Sequence, residues 1–283
     1  MFIDTRTREG MESGISDFLD ITVDEVYQYI DYASEKAQID HWCFNTDIFA
    51  DELETIITDL QPEKEIDELL FFHLSRRLRG TEDDVSGRNL EDLLTTSNAL
   101  SFFLKKHHIE FVKGKQNIIT YYKGREVNWE KCWDGNSAYM KSRLGYFKGR
   151  EDYCFNGFAF KDLLYKNQYA RILYGVPEII GQLTECLGCR NVDSEYMENS
   201  DYYCFEYKVP IDRVKFDDHD DYSRSRKQWY IVYCVLERLH QYRTSNIKYM
   251  YDDDNPILRL DDHDILPSEF FIQKELITWD MLG

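Results

Sequence analysis

Hydrophobic and polar positions along this chain follow two periods, and the places where one gives way to the other mark its elements. Val23, Val26, Tyr27, Ile30 and Ala37 recur at helical spacing behind Thr22, with Glu25 three places on, the pattern of a capping box. Residues 47–60 predict a second helix, with Ile48, Leu53, Ile56, Ile57 and Leu60 inward and Pro62 beyond its end. An apolar run from Leu69 then predicts a strand that carries His73-Leu74-Ser75-Arg76 at its end. Residues 79–88 form a charged, glycine-flanked loop, and residues 89–94 and 99–107 predict two short helices. Residues 109–112 and 117–122, separated by Gly114-Lys115, predict a hairpin.

Further on, residues 153–160 are strand-like, residues 161–174 helical, and Pro177 opens a helix that Gly188 closes. Residues 202–209 alternate as a strand. Residues 227–242 predict a core helix with Trp229, Val232, Tyr233, Leu236, Leu239 and His240 on one face. Residues 257–260 and 270–272 predict two last strands with a turn at residues 261–264 and Pro267 between them. The first twenty residues, mixed in charge, glycine and serine, predict a loose arm. The expected fold is α+β, with an N-terminal arm and helical segment over residues 1–65 and an α+β core over residues 66–283, interrupted by an insertion at roughly 112–150.

A chain of 283 residues that is 43% hydrophobic has enough apolar side chain for a large core. Its formal charge of −19, from 53 acidic and 34 basic residues, repels polyphosphate and disfavours general nucleic-acid binding. The same acidity suits a basic protein partner. It supports an alternative in which the chain is a non-catalytic interaction protein, an inhibitor, antitoxin-like protein or nucleic-acid-mimicking decoy, with clusters at residues 217–221 and 261–264 converging on one face. Residues 128–150 run against the trend, with Trp129, Trp133, Lys131, Lys141, Arg143, Lys148 and Arg150, and predict an interaction loop or a solvated insertion. The seven cysteines have no framework spacing, which suits a reducing cytoplasm. Cys186-Leu187-Gly188-Cys189 lacks the second ligand pair that tetrahedral zinc needs, so no metal is expected. The longest apolar runs are too short to span a bilayer, so no membrane role is expected.

The candidate chemistry lies in the His73 strand. Alternation places His73 and Ser75 on one face and Leu74 on the other. A nicotinamide dinucleotide needs donors and acceptors for its riboses, backbone groups for its amide and aromatic walls for its ring. Arg76, Arg77 and Arg79 are either a solvated strand end or a seat for the pyrophosphate. A hydrolase using His73 as general acid or base is a further class to weigh.

Leu69-Leu70-Phe71-Phe72-His73-Leu74-Ser75-Arg76, followed by Asn89-Leu90-Glu91-Asp92-Leu93-Leu94, resembles the first core motif of the ADP-ribosyltransferase superfamily in its His-Tyr-Glu branch. Asn156-Gly157-Phe158-Ala159-Phe160 has the outline of the second motif, with ten residues between Phe158 and Tyr169. The third motif departs from the pattern: its glutamate is not found, and Asp254 before Pro256-Ile257-Leu258 stands in. The resemblance implies a split-sheet transferase core that uses NAD as substrate, a macromolecular acceptor, and a toxin or phage-defence role in the cytoplasm. It also implies His73 on a ribose hydroxyl, the Leu74 backbone on the carboxamide, Ser75 supporting the strand end and Arg76 nearby. Phe158 and Tyr169 would flank the nicotinamide, and Asp254 would steady the ribosyl cation.

Overall fold

The structure is a computed structural model that describes the chain except Trp42, Glu82, Asp83, Cys132, Trp133, Asp134, Arg150 and Asp218, and describes Lys131, Gly135 and Asn136 without their side chains. Its helices are α1 (Arg8–Leu19), α2 (Val23–Ala37), α3 (Thr46–Leu60), α4 (Leu90–Thr95), α5 (Ala99–Lys106), α6 (Gly135–Arg143), α7 (Gln168–Leu173), α8 (Glu178–Leu187), α9 (Asn191–Glu198) and α10 (Arg224–Thr244). The strands are β1 (Gln38–Asp40), β2 (Cys43–Phe44), β3 (Glu68–Leu78), β4 (Ile109–Lys113), β5 (Ile118–Tyr122), β6 (Arg125–Glu126), β7 (Asn156–Phe158), β8 (Ser200–Pro210), β9 (Lys215–Phe216), β10 (Ile257–Arg259) and β11 (Phe271–Leu276). The fold is α+β. No helix among the described residues is long and apolar enough to cross a membrane.

The chain divides into two units. Unit 1 comprises residues 1–72, 158–167 and 208–258, and unit 2 comprises residues 73–157, 168–207 and 259–283. In unit 1, Thr22 caps α2 through the Glu25 amide while Glu25 bonds back to the Thr22 amide, so the capping box read in the sequence is formed. The first twenty residues are a correction: they are not an arm. Thr7 accepts from the Gly10 amide and starts α1, and Met11, Ile15, Phe18 and Leu19 recur at helical spacing and are buried. A Cβ on Gly14 would meet Ile3 Cγ2 at 2.8 Å, so that glycine permits close packing rather than flexibility.

The strands of unit 1 stand in the order β3-β7-β10-β9, with Phe72 opposite Phe158 in an antiparallel pair. Long helix α10 contributes a buried row from Ile231 to Leu239 that includes one charge, Arg238. That guanidinium is 2% exposed and meets Asp162 Oδ1 and Oδ2 at 3.0 Å and Asp252 Oδ1 at 2.6 Å. Asn255 and Asn167 donate to Asp252 Oδ2, and the Tyr242 hydroxyl donates to Asp162. Buried charges persist only when satisfied in this way.

In unit 2 the strand order is β11-β8-β3, and β4, β5 and β6 form a separate antiparallel sheet. The hairpin register pairs Ile109 with Tyr122 and Lys113 with Ile118, as the two apolar runs predict. The stretch predicted as one helix over residues 161–174 is instead a 3-10 turn and the short α7, interrupted at Asn167. Asn167 spends its amide on Asp252, so a side-chain demand ends the turn. The Asn89 side chain caps α4 through the Asp92 amide, and its own amide donates to the Asp264 carbonyl.

Candidate functional site

From His73 to Arg77 β3 alternates: Leu74 and Arg76 are buried, while His73, Ser75 and Arg77 are half-buried and share the other face. That second face lines a cavity of about 810 Å³. The residues around it all belong to unit 2: the loop after β3 contributes Asp84, Ser86 and Arg88, the start of α5 contributes Asn98 and Phe102, and the strand approaching β7 contributes Phe155 and Asn156.

His73 is fixed in one tautomer. Its Nδ1 lies 2.7 Å from the Asn156 carbonyl oxygen, an acceptor only, so Nδ1 carries the proton and donates. Burial and then the charge of Arg77 hold the ring's pKa down at about 3, against the partial support of that carbonyl. The imidazole is therefore neutral, with an unprotonated Nε2. Phe155 packs on it with ring centroids 4.2 Å apart.

Arginine dominates the electrostatics of this cavity. Arg88 is neutralised by Asp84 at 2.6 Å and Asp92 at 3.1 Å, and Arg143 by Asp152. Arg77 meets no carboxylate among the described residues. One of its terminal nitrogens donates to Ser75 Oγ at 3.0 Å, its guanidinium lies 4.7 Å from the centre of the Phe205 ring, and its buried Nε has no hydrogen-bond partner. A basic cavity in a protein of charge −19 favours an anionic occupant.

Arg76 is corrected by its partners. It lies on the buried face of β3, where it donates to Ser200 Oγ at 2.9 Å, to the Ser200 carbonyl at 2.8 Å and to the Tyr174 carbonyl. Those bonds stitch β3 to the start of β8 and leave Arg76 outside the cavity. Arg79 is likewise taken up, by Asp201 and the Glu198 carbonyl. Of the three arginines weighed as a pyrophosphate seat, Arg77 alone lines the cavity.

The other predicted site residues are not among those that line this cavity. Tyr169 belongs to unit 2 but is 58% exposed on α7 and does not line the cavity. Phe158 and Asp254 belong to unit 1, Phe158 as a buried ring of β7 and Asp254 as an exposed carboxylate that accepts from Gln241 at 3.1 Å. The buried aspartate of the triple run is Asp252, and it serves Arg238. Strand parity put His73 and Ser75 on one face in advance, and Arg77 continues that face. Asp84 reaches the cavity through a loop whose course no periodicity reveals, and Asn156 at the start of β7, with Phe155 just before it, through a strand pairing that no local signal specifies.

Asp152, Cys154 and Asp262 come close enough to share a metal, yet Arg143 already pairs with Asp152 and Arg259 hydrogen-bonds Cys154, so guanidinium groups supply the positive charge there. Of the basic insertion, Trp129 is buried and Lys141 is paired with Glu130, while Trp133, Arg150 and the Lys131 side chain lie outside what is described. The acidic clusters at residues 217–221 and 261–264 fall in units 1 and 2 respectively, with Asp218 outside the described residues. Compared with family models, with curated proteins and with solved structures, the chain matches none.

Proposed function

We propose that unit 2 binds a hydroxylated, ring-bearing small molecule of nucleotide size, with NAD the first candidate, and that His73 receives a ribose hydroxyl there. The observation that carries this reading is the locked tautomer: Nδ1 is spent on the Asn156 carbonyl, and burial, then the charge of Arg77, keeps the ring neutral, which leaves Nε2 as an acceptor. Such a ring accepts a hydrogen bond from a hydroxyl and is a weak proton acceptor in catalysis, which favours binding over the general-base hydrolase. Phe155 beside it and Phe102, 59% exposed at the start of α5, supply apolar and aromatic surface for a flat ring.

ADP-ribosyl transfer to a macromolecule is the activity that such a site would serve if the family resemblance of the His73 strand holds. It also requires an anionic group near the ribosyl cation. The described carboxylate of the cavity, Asp84, accepts from Ser86 and from Arg88, so its charge is committed.

Calorimetric titration of the full chain with NAD tests the reading, alongside His73→Ala. Saturable binding that weakens at least tenfold in the variant, with an unchanged circular dichroism spectrum, is the expected result. Equal affinity in the two proteins refutes the role of His73. Release of free nicotinamide, followed in the same samples, reports whether binding leads to transfer or hydrolysis.

A further inference from the structure

We propose that Arg77, braced by Ser75, is a seat for a phosphate oxyanion in the same cavity. The inference deepens the reading above in naming the charged part of the ligand, but it stands on different atoms. Guanidinium presents five N–H donors in a planar fork, and phosphate oxygens match its edges two at a time. In Arg77 one terminal nitrogen is held by Ser75 Oγ, and one face of the plane is covered by the Phe205 ring. These two contacts fix the orientation of the group. The Nε edge is left with no acceptor: Nε is buried and bonded to nothing among the described residues.

Proteins rarely leave a buried charged donor unmatched, because desolvation is incurred without the compensating bond. The neighbouring arginines show the contrast. Arg76, one residue earlier, satisfies its guanidinium with a hydroxyl and carbonyl oxygens; in the cavity wall Arg88 has carboxylates, and Arg143, whose Nε is likewise buried without a partner, has Asp152 against a terminal nitrogen. Arg77 is the cavity arginine with no carboxylate in contact among the described residues; Asp84, held by Arg88, acts on it only at longer range. An oxyanion in the cavity would meet the terminal nitrogen that Ser75 does not hold and neutralise the charge.

The shared chemistry is a phosphate group, and it could arrive on a nucleotide or as a free phosphate ion. Three probes separate these sources from each other and from the His73 reading: inorganic pyrophosphate, ADP-ribose and nicotinamide riboside, which has the ribose and ring without a second phosphate-bearing half or any phosphate. Titrations use the full chain, its Arg77→Met variant and its His73→Ala variant. The expected result is that ADP-ribose and pyrophosphate both bind the wild type and weaken at least tenfold in Arg77→Met, while nicotinamide riboside is unaffected by that change and weakened by His73→Ala. Binding of ADP-ribose alone, still sensitive to Arg77→Met, supports the seat and assigns it to nucleotides. Binding of pyrophosphate without the riboside sinks the His73 reading and leaves the seat standing. Binding of the riboside while neither phosphate compound binds, or equal affinity for them in Arg77→Met, overturns the seat.

Should Arg77→Met fail to fold, the wild type suffices. Phenylglyoxal modifies accessible guanidinium groups, and peptide mapping should find Arg77 protected by saturating pyrophosphate or ADP-ribose. Modification of Arg77 at an unchanged rate in the presence of both compounds overturns the proposal.

Discussion

Replacing Arg238 by Met should destabilise the protein by about 5 kcal/mol, the upper end of the range for breaking a buried ion pair by removing one partner. The position in that range follows from the geometry. One guanidinium serves two carboxylates, Asp162 and Asp252, whose side chains are 1% and 0% exposed, so the change leaves two buried anions where the typical case leaves one. Asp252 retains the amides of Asn167 and Asn255, and Asp162 retains the Tyr242 hydroxyl. These residual donors keep the loss from doubling. Against a total stability of about 5–15 kcal/mol, a loss of this size is large. With a urea slope near 3 kcal/mol/M it lowers the midpoint by roughly 1.7 M, measured by circular dichroism.

The same variant makes a signed prediction in acid. Burial pushes the Asp162 carboxyl above its ordinary value even with Arg238 in place. A carboxyl raised in the folded state contributes most below its unfolded pKa, and that contribution is lost as pH rises through the folded value. Without Arg238 the folded value climbs further, so the deficit of Arg238→Met should shrink as the pH falls from 7 toward 4 and Asp162 takes up a proton. Combining it with Asp162→Asn should recover part of the loss at pH 7. A deficit under about 1 kcal/mol at pH 7, or one that grows in acid, would refute the account of a charge-satisfied core.

Arg76→Met should cost roughly 3 kcal/mol in urea unfolding, because it strips a buried hydroxyl and carbonyl oxygens of their donor; a loss below about 0.5 kcal/mol would contradict the stitching role. Gly145, at φ +74°, would place a Cβ 2.0 Å from Tyr153 Oη, whereas Gly188, at φ +66°, has open space around it. Alanine should therefore cost more than about 2 kcal/mol at the first and about 1 kcal/mol at the second, and equal losses would show that the Tyr153 contact is absent. Exposed Cys43 should react with iodoacetamide at neutral pH well before Cys154, whose thiol is pushed up to about 11 chiefly by burial, and before the still deeper Cys234; mass mapping of early-labelled peptides checks the order.

Elements whose ends are fixed by local chemistry were legible in the sequence. The Thr22–Glu25 box, the β4–β5 hairpin and the Gly188 terminus of α8 each depend on residues a few positions apart. What escaped were features set by distant partners. Helix α1 looked unstructured because Gly10 and Gly14 lower helix propensity, yet its buried row from Met11 to Leu19 overrides that preference through packing. Asn167 divides a predicted helix because Asp252, far along the chain, claims its amide. Arg76 and Arg77 are indistinguishable as neighbouring symbols, and strand parity alone sends one into packed structure and the other to a cavity.

That parity also explains why the local environment of His73 is more informative than the motif containing it. The sequence placed His73 at a strand end, but β3 runs on to Leu78 and His73 lies at its middle; an exposed histidine is ordinarily a titrating group near neutral pH, suited to exchanging protons. Here burial, together with a guanidinium four residues along on the same strand face, keeps it neutral, while a carbonyl fixes which nitrogen is left open. The two side chains consequently differ in kind as well as position: Nε2 of His73 can only accept, and the guanidinium of Arg77 can only donate. A ligand bearing a hydroxyl and an oxyanion on one compact skeleton would engage both at once, each group meeting the polarity it lacks, and a nucleotide is such a molecule.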